Sequence, residues 1–418
     1  MNSRNQSVVI KKAFSVDARF DLREGAGTDA VHNTTQYAFA VCKLTTDQDI
    51  HGEGLALTLG KGNELVCGAI EHLTKYIEGK EIEELMADFG QVFREMADAP
   101  CLRWLGPQKG VIHLALASVT NACFDLWAKS REVPLWKLLT DLSAEEIVNT
   151  LDLSYLEEVL TRSDALDILQ FKKDQYDART HILKTGYPGY DTSIGWFNYS
   201  DERVKDNIKK SMAQGFTSMK LKVGSADLER DIRRIYLVRE TAGEDATIML
   251  DANQRWSLPT AIEFSRKLKD IDPYWIEEPT HPDDISAHVS LAKKIKPIKL
   301  AMGEHVPNRV MFKNFLQSGC MHINQVDALR VGGISEFITI SLLSKKFGVP
   351  VVPHVGDMGQ IHQHLVLFNH LRMGHKPLFL EHIPHLKEYF KYPVKIEHGF
   401  YQVPQEPGIG ADLKVYST

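Results

Sequence analysis

Two lysines stand two apart in the segment "SMKLKV", Lys220 and Lys222, with Leu221 between them. On a strand, residues i and i+2 project from the same face. The segment reads as a core strand, where two ammonium groups side by side are costly without partners. Downstream, three short apolar segments each end in an acid: Asp251 in "TIMLDAN", Glu277 in "YWIEEP" and Glu304 in "IKLAMGE". Three carboxylates converging on one point repel one another unless a cation joins them. Hard oxygen ligands without sulfur suit Mg2+. Two further segments end in Asp327 ("HINQVD") and His354 ("VPVVPH"), and an aspartate beside a histidine fixes its tautomer and raises its basicity. A lysine base beside a divalent cation, faced by a histidine, fits proton abstraction next to a carboxylate, with the cation stabilising the anion that forms. The cation and Lys220 both disfavour a second positive charge, so Lys222 is expected to fall below the ordinary lysine value of about 10.4.

Such residues must be brought to one rim. From about residue 192, eight short apolar segments, "TSIGWF", "SMKLKV", "TIMLDAN", "YWIEEP", "IKLAMGE", "HINQVD", "VPVVPH" and "LFLEH", alternate with amphipathic stretches such as "DIRRIYLVRETAG". Eight strand–helix steps, nearly all with a polar residue at the strand end, predict an α/β fold of the TIM-barrel type, in which functional groups collect at the C-terminal ends of the strands. Residues 8–60 read as strands and are followed by helical periodicity, as in "VIHLALASVTNACFDLWAKS", which suggests a small α+β domain. The expected division is an α+β domain over 1–150, a helical linker over 151–190, a barrel over 191–385 and a C-terminal segment over 386–418 that returns to the first domain.

Composition narrows the functional classes. The 418 residues carry a net charge of −6 and are 43% hydrophobic, enough for a large core and with no sign of a nucleic-acid or membrane surface. No apolar run looks as long as a membrane span, and the opening stretch has no signal-peptide core. Five scattered cysteines without a CxxC pair favour reduced thiols and a cytoplasmic location. "GLALTLGKGN" resembles a phosphate loop, but five residues separate Gly54 from Gly60 and Gly62 follows Lys61, so it fails the Walker pattern.

Each feature alone has a plainer reading. A K-x-K pair on a surface strand is solvated, a single acid after a strand serves as a helix cap or ion-pair partner, and a lone histidine is a satisfied core residue. Their combination favours a site. His305, His322, His362, His364, His370 and His375 read as structural, His305 being the nearest to a supporting role. Asn253 reads equally as a turn residue or as a substrate-facing group. Trp104, Trp196 and Trp256 read as packing.

The set K-x-K, D-x-N, I-E-E-P and G-E, followed by Asp327 and His354, resembles the enolase superfamily in its mandelate racemase-like branch, which uses a Lys or His base with Mg2+ holding an ene-diolate. Longer stretches, "RWLGPQKGVIHLALASVTNACFDLWAK", "LDLSYLEEVLTRSDALDIL", "GYPGYDTSIGWFNYSDE" and "HLKEYFKYPVKI", span almost the full chain and resemble the L-fuconate dehydratase group. The resemblance implies a capping domain, built from the N-terminal region and C-terminal tail, over a modified barrel. It also implies Mg2+ and an acid-sugar substrate, L-fuconate above others, that loses water across C2–C3 to give a 2-keto-3-deoxy acid. It makes Lys222 the base at C2, His354 the acid on the 3-hydroxyl, Asp327 its partner, Glu381 a substrate ligand and Lys220 a contact to the carboxylate. In "FLEHIPHL" the strand end favours Glu381 over His382 and His385. Residues 17–32 and 58–65 resemble loops that close over the sugar, and copies of the chain are expected to form a homo-oligomer. A racemase or epimerase, or a dehydratase for another sugar acid, would use the same Lys–His pair. A non-catalytic binding protein would have no need of this charged cluster, and a barrel hydrolase would want histidine-rich ligands.

Overall fold

Alternating and β-branched sequence near the N-terminus builds a three-stranded antiparallel sheet. Its strands β1 (Ile10–Asp21), β2 (Gln36–Thr46) and β3 (His51–Thr58) pair in that order, with Val16 opposite Val41 and Ala40 opposite Ala56. The computed structural model describes residues 7–268 and 270–414, so the first six residues of the expected N-terminal domain and the last four of the C-terminal segment lie outside the described residues. The sheet is covered by the helix Gly110–Ser130, buried without a break from Ala115 through Ala128. By length and composition that helix could cross a membrane, but 83% of its apolar window is buried in the protein, as befits a core helix. Ser118, Thr120 and Asn121 break its apolar run in the sequence, which hides its length from a simple scan.

The helix lies almost in contact with the β3 backbone. A Cβ on Gly54 would overlap the carbonyl oxygen of Ser118 and the backbone nitrogen of Ala122. The Ser118 hydroxyl accepts the Cys42 N–H at 2.8 Å and lies 2.9 and 2.8 Å from the carbonyls of Ala40 and Gly54. One small residue and one hydroxyl thus set the distance between helix and sheet. Short helices follow between Leu135 and Thr185, two of them opened by capping boxes at Ser143 and Thr161.

The second region is an α/β barrel. Strands β4 (Tyr187–Gly195), β5 (Ser218–Lys222), β6 (Thr247–Asp251), β7 (Trp275–Glu277), β8 (Lys299–Met302) and β9 (Ile323–Asn324) pair in parallel in that order. Asn324 bridges in parallel to Val351, which marks the seventh position. The eighth, β10 (Leu380–His382), pairs in parallel with β4 and brings the ring back on itself. Seven α-helices connect the eight positions, from Asp201–Ala213 to Ile361–Phe368, so the fold is a modified TIM barrel. The first barrel strand begins at Tyr187, inside the stretch expected as a linker. Its Gly and Pro suggest a boundary, but Tyr187 and Tyr190 are buried side chains of a strand.

The last residues touch both regions. β11 (Ile396–Glu397) and β12 (Phe400–Tyr401) form a hairpin whose second strand pairs antiparallel with β4. Phe390 then bridges to Leu413 and packs 6.2 Å from Phe39 of β2. Asp412 receives the ammonium of Lys129 at 3.0 Å and the ring of His51 at 2.9 Å. All five cysteines are free. Trp196 and Trp256 are buried, but Trp104 is 91% exposed beside exposed Leu105, so Trp104 is not a packing residue: the short helix Pro100–Leu105 turns only Leu102 inward.

The close approach at Gly54 gives a paired test. Gly54→Ala should lower stability by about 3 kcal/mol, the upper end of overpacking costs, because backbone atoms and not a flexible side chain must move. Gly68→Ala, in the helix Asn63–Leu73 with nothing near the added methyl, should raise it by ~0.5–1 kcal/mol through helix propensity. Urea unfolding midpoints of the two variants and the parent measure both.

Candidate active site

Strand register builds the site. Lys222 is paired with Asp251 and Asp251 with Glu277 across β5, β6 and β7, so three charged side chains stand in a row at the strand ends. Lys220, two residues earlier, points the same way and lies one layer deeper, while Leu221 faces the opposite side. Glu304 follows β8, Asp327 follows β9, His354 follows the Val351 segment and Glu381 sits within β10. Three non-glycine residues just past β6 and β7 hold positive φ: Asn253 at 43°, Gln254 at 62° and Glu278 at 38°. Such backbone strain concentrates at functional sites.

The bowl is a network of buried charges. The Lys220 ammonium lies 2.7 Å from Glu277, 2.8 Å from Glu381 and 3.9 Å from Asp251, and no part of it reaches solvent. Lys222 lies 2.5 Å from Asp251, with the Trp196 ring 5.2 Å from its nitrogen. Gln325 and Trp275 donate to Glu277 at 2.7 and 3.2 Å. Thr192 donates to Glu381 at 2.5 Å. Burial and the neighbouring Asp251 charge push the Glu277 carboxyl up to about 8 despite Lys220. Burial opposes ionisation of Glu304, but His354, His305 and Lys222 overcome it and hold that carboxyl down at about 2. Burial and Lys220 lower Lys222, but the carboxylates of Asp251, Asp29 and Glu304 together raise it above the ordinary lysine value. Asp251 stands in direct contact, which spacing alone could not reveal.

Asp251, Glu277 and Glu304 can each offer an oxygen within 4.8 Å of the others. Glu304 Oε2 is buried without a hydrogen-bond partner. A carboxylate oxygen without a hydrogen bond, 3.6 Å from His354 Nε2 and beside two more carboxylates, with oxygen as the only donor type of the three acids, fits a hard divalent ion such as Mg2+. Asn253 divides its roles: its N–H donates to Asp251 at 2.9 Å, and its buried side-chain oxygen has no partner. Glu278 lies beside Glu304 in a second group with His305 and takes the N–H and ring nitrogen of His305 at 3.0 Å, together with the amide of Gln254.

The other wall holds His354. Its Nδ1 lies 2.7 Å from Asp327 Oδ2, leaving Nε2 toward the bowl, 3.6 Å from Glu304. Burial lowers the imidazole, but Glu304 and Asp327 raise it to about 9. His362, read from sequence as structural, lies 3.1 Å from the second oxygen of Asp327. Glu381 is the member of its segment that enters the bowl, while His382 stacks on Phe216 outside it, ring centroids 5.4 Å apart.

From above, the loop after β1 comes down onto the rim. The Thr28 carbonyl accepts the Phe197 N–H at 3.0 Å and its hydroxyl accepts the Asn198 N–H at 3.1 Å. Asp29 is bonded to His32 at 2.9 Å and feels the charge of Lys222; His32 feels Glu304. Tyr37 is buried with its hydroxyl 3.3 Å from the Gly27 carbonyl and within the field of Lys222 and Glu304. The cover comes from residues 22–32, since 17–21 of the expected loop are the end of β1; Tyr37, in β2, and Gln325 carry no motif in the sequence. Their only signal was position: Gln325 lies two residues before Asp327 on a strand end.

Fold and site define a capped α/β-barrel enzyme. A family model described as enolase C-terminal domain-like matches residues 203–417. Mitochondrial enolase superfamily member 1 of Homo sapiens is 40% identical over 412 residues, covering 96% of this chain and 93% of that protein. Its crystal structure superposes with a TM-score of 0.94 at 39% identity, over 98% of this chain and 95% of the other. L-galactonate dehydratase of Hypocrea jecorina is 39% identical over 409 residues, covering 96% and 91%. L-talarate/galactarate dehydratase from Salmonella typhimurium LT2, crystallised with Mg and L-lyxarohydroxamate, shares the fold with a TM-score of 0.78 at 24% identity, over 99% and 93%. The chain belongs to the enolase superfamily, with a mandelate racemase/MLE-like C-terminal domain. Relatives named as dehydratases put it among the hydro-lyases.

The unpartnered oxygen of Glu304 makes the ion site testable without activity. Glu304→Gln breaks no protein hydrogen bond of that atom, so it should fold like the parent and lose at least tenfold in affinity for Mg2+. Titration calorimetry of chelator-treated protein should give one site per chain in the parent and a weakened one in the variant.

Proposed function

We propose that the protein is a Mg2+-dependent acid-sugar dehydratase whose substrate is L-fuconate. The observation that carries this is the placing of Lys222 and His354 on different walls around the three acids: they occupy the second and seventh of eight barrel positions. A substrate between them meets a lysine on one side and an imidazole on the other. Support for the sugar comes from the relative named for L-galactonate. L-fuconate is L-galactonate without its 6-hydroxyl, so the two share configuration at every carbon that reacts.

Asp251, Glu277 and Glu304 would hold Mg2+, which supplies positive charge to the substrate carboxylate as C2 loses its proton. Lys222 takes that proton on Nζ. The Asp251 contact that keeps Lys222 charged weakens once Asp251 has another cation to serve, so the neutral amine becomes accessible. His354 Nε2 gives its proton to the 3-hydroxyl, which leaves C3 as water while the C2–C3 enol forms. That enol then ketonises to the 2-keto-3-deoxy acid. Asp327 keeps the His354 proton on Nδ1 and the ring fixed. Lys220 and Glu381 lie beneath the reacting carbons: Lys220 faces the carboxylate end, and Glu381 accepts a sugar hydroxyl. Asn253 offers its free side-chain oxygen to a second hydroxyl. A racemase would use the same lysine and histidine; the relatives' dehydratase names favour loss of water.

The two steps separate by mutation. His354→Asn should lose dehydration of L-fuconate by at least ~10²-fold, the worth of a positioned acid, while the C2 hydrogen still exchanges with D2O. Lys222→Ala should lose both. NMR of C2 deuterium incorporation and of 2-keto acid formation, run across a set of acid sugars, distinguishes the cases. Exchange retained in Lys222→Ala but lost in His354→Asn would reverse the roles, and C2 inversion without water loss would make the enzyme a racemase or epimerase.

A further inference from the structure

Behind His354 the charged contacts do not stop at Asp327. Asp327 Oδ2 holds His354 Nδ1 at 2.7 Å, and Oδ1 lies 3.1 Å from Nε2 of His362. The other nitrogen of His362 lies 2.5 Å from Asp357 Oδ1, and Asp357 Oδ2 accepts the Ile361 N–H at 2.7 Å. Asp327, His362 and Asp357 are fully buried. We propose that His362 is a positioning residue for His354: it donates through Nε2 to Asp327, anchored by Asp357, and so fixes the carboxylate that aims the acid. This rests on reading His354 as the acid of the reaction.

The local geometry poses a choice. The Ala328 N–H also points at His362 Nε2, at 3.0 Å. One nitrogen cannot accept from Ala328 and donate to Asp327 at once. If it accepts, the ring is neutral, its proton is on Nδ1, and Asp327 Oδ1 faces a lone pair; His362 is then a core histidine satisfied by backbone. If it donates, the ring is a cation between two buried carboxylates. The second arrangement takes the acceptor from the Ala328 N–H, but it sets a cation beside Asp357, a buried carboxylate that otherwise has only the Ile361 N–H and the imidazole N–H, in a place without water where an ion without a counter-charge is most costly. The pull of Asp357 and Asp327 on the ring, acting against burial, runs the same way. Asp327 is confined on its remaining sides as well: Leu329 N–H donates to Oδ1 at 2.7 Å and Gly356 N–H to Oδ2 at 3.1 Å, and a Cβ at Gly356 would overlap Oδ2. With both oxygens committed, the carboxylate cannot rotate, and His354 keeps Nε2 toward the bowl.

The test pairs kinetics with spectroscopy. His362→Phe should lower kcat for dehydration about tenfold or more, with KM, Mg2+ affinity and C2 exchange within about twofold of the parent. His362→Gln, whose amide can donate to Asp327, should recover most of that loss. If His362→Phe does not fold, Asp357→Asn carries the kinetic test. It keeps a carbonyl for the Ile361 N–H but removes the charge holding the imidazolium, and should show the same selective loss. In nitrogen-15 spectra of histidine-labelled protein, with His362 assigned by its absence from either variant, both ring nitrogens should be protonated at neutral pH. An unprotonated Nε2, parent-like dehydration in the variants, or a parallel loss of exchange, metal affinity and dehydration would each overturn the proposal. Should the parent dehydrate no acid sugar, the functional reading fails, while the nitrogen spectrum still decides whether His362 holds Asp327.

Discussion

A fully buried ammonium between two buried carboxylates is the constraint around which the barrel mouth is arranged. Desolvating Lys220, Glu277 and Glu381 costs several kcal/mol for each ion, of which pairing returns only part. Such a group persists where geometry satisfies every partner. Glu381 sits on β10 and Glu277 on β7, at opposite ends of the run β10-β4-β5-β6-β7. One side chain on the middle strand therefore ties together strands four apart. It also fixes the floor on which Asp251, Lys222 and Glu304 stand. Asp251, Glu277, Glu304 and Glu381 face Lys220 and Lys222, four carboxyl groups against two ammonium groups. Burial and this crowding raise Glu277 beside Asp251, and a cation held by the three acids would relieve the crowding.

Much of this was legible in the chain because it rests on short-range rules. Period-2 geometry put Lys220 and Lys222 on one face. A polar residue ending nearly every apolar segment located the rim. The positions of Asp251, Glu277 and Glu304 at successive strand ends were enough to suggest an ion. These inferences need only local periodicity and the habit of barrels of exposing strand termini at one end. Glu381 is instructive: β10 has three residues, and the parallel pairing of Glu381 with Tyr190 decides that the acid and not His382 faces inward.

What stayed hidden depends on contacts between segments far apart. The carboxylates that raise Lys222, Asp251 foremost, reach it through contacts that no spacing in the chain reports. His362 looked like one of several core histidines; only the fold of the Val351 segment against the helix Ile361–Phe368 brings it to Asp327. Tyr37 belongs by sequence to an ordinary strand of the N-terminal sheet and by position to the ceiling of the bowl. Trp104 was misjudged because aromatic residues are usually inside, and a six-residue helix can bury only one of its faces.

The sealing of the N-terminal sheet by the far end of the chain bears on how the molecule comes into being. His51 and Glu53 meet Asp412 and Leu413 across 361 and 360 residues of sequence, and β10, which brings the ring back to β4, lies near residue 380. Contacts of such separation form slowly, since a long loop must close before they contribute. During synthesis the strands of this sheet emerge before residues 412 and 413 and wait for them with part of their apolar surface unmatched. The bowl of buried charges shares that dependence, because its floor needs Glu381 beside Lys220. A chain stopped short of Leu380 would thus leave both regions open together, and the cell would meet it as a substrate for chaperones and proteases.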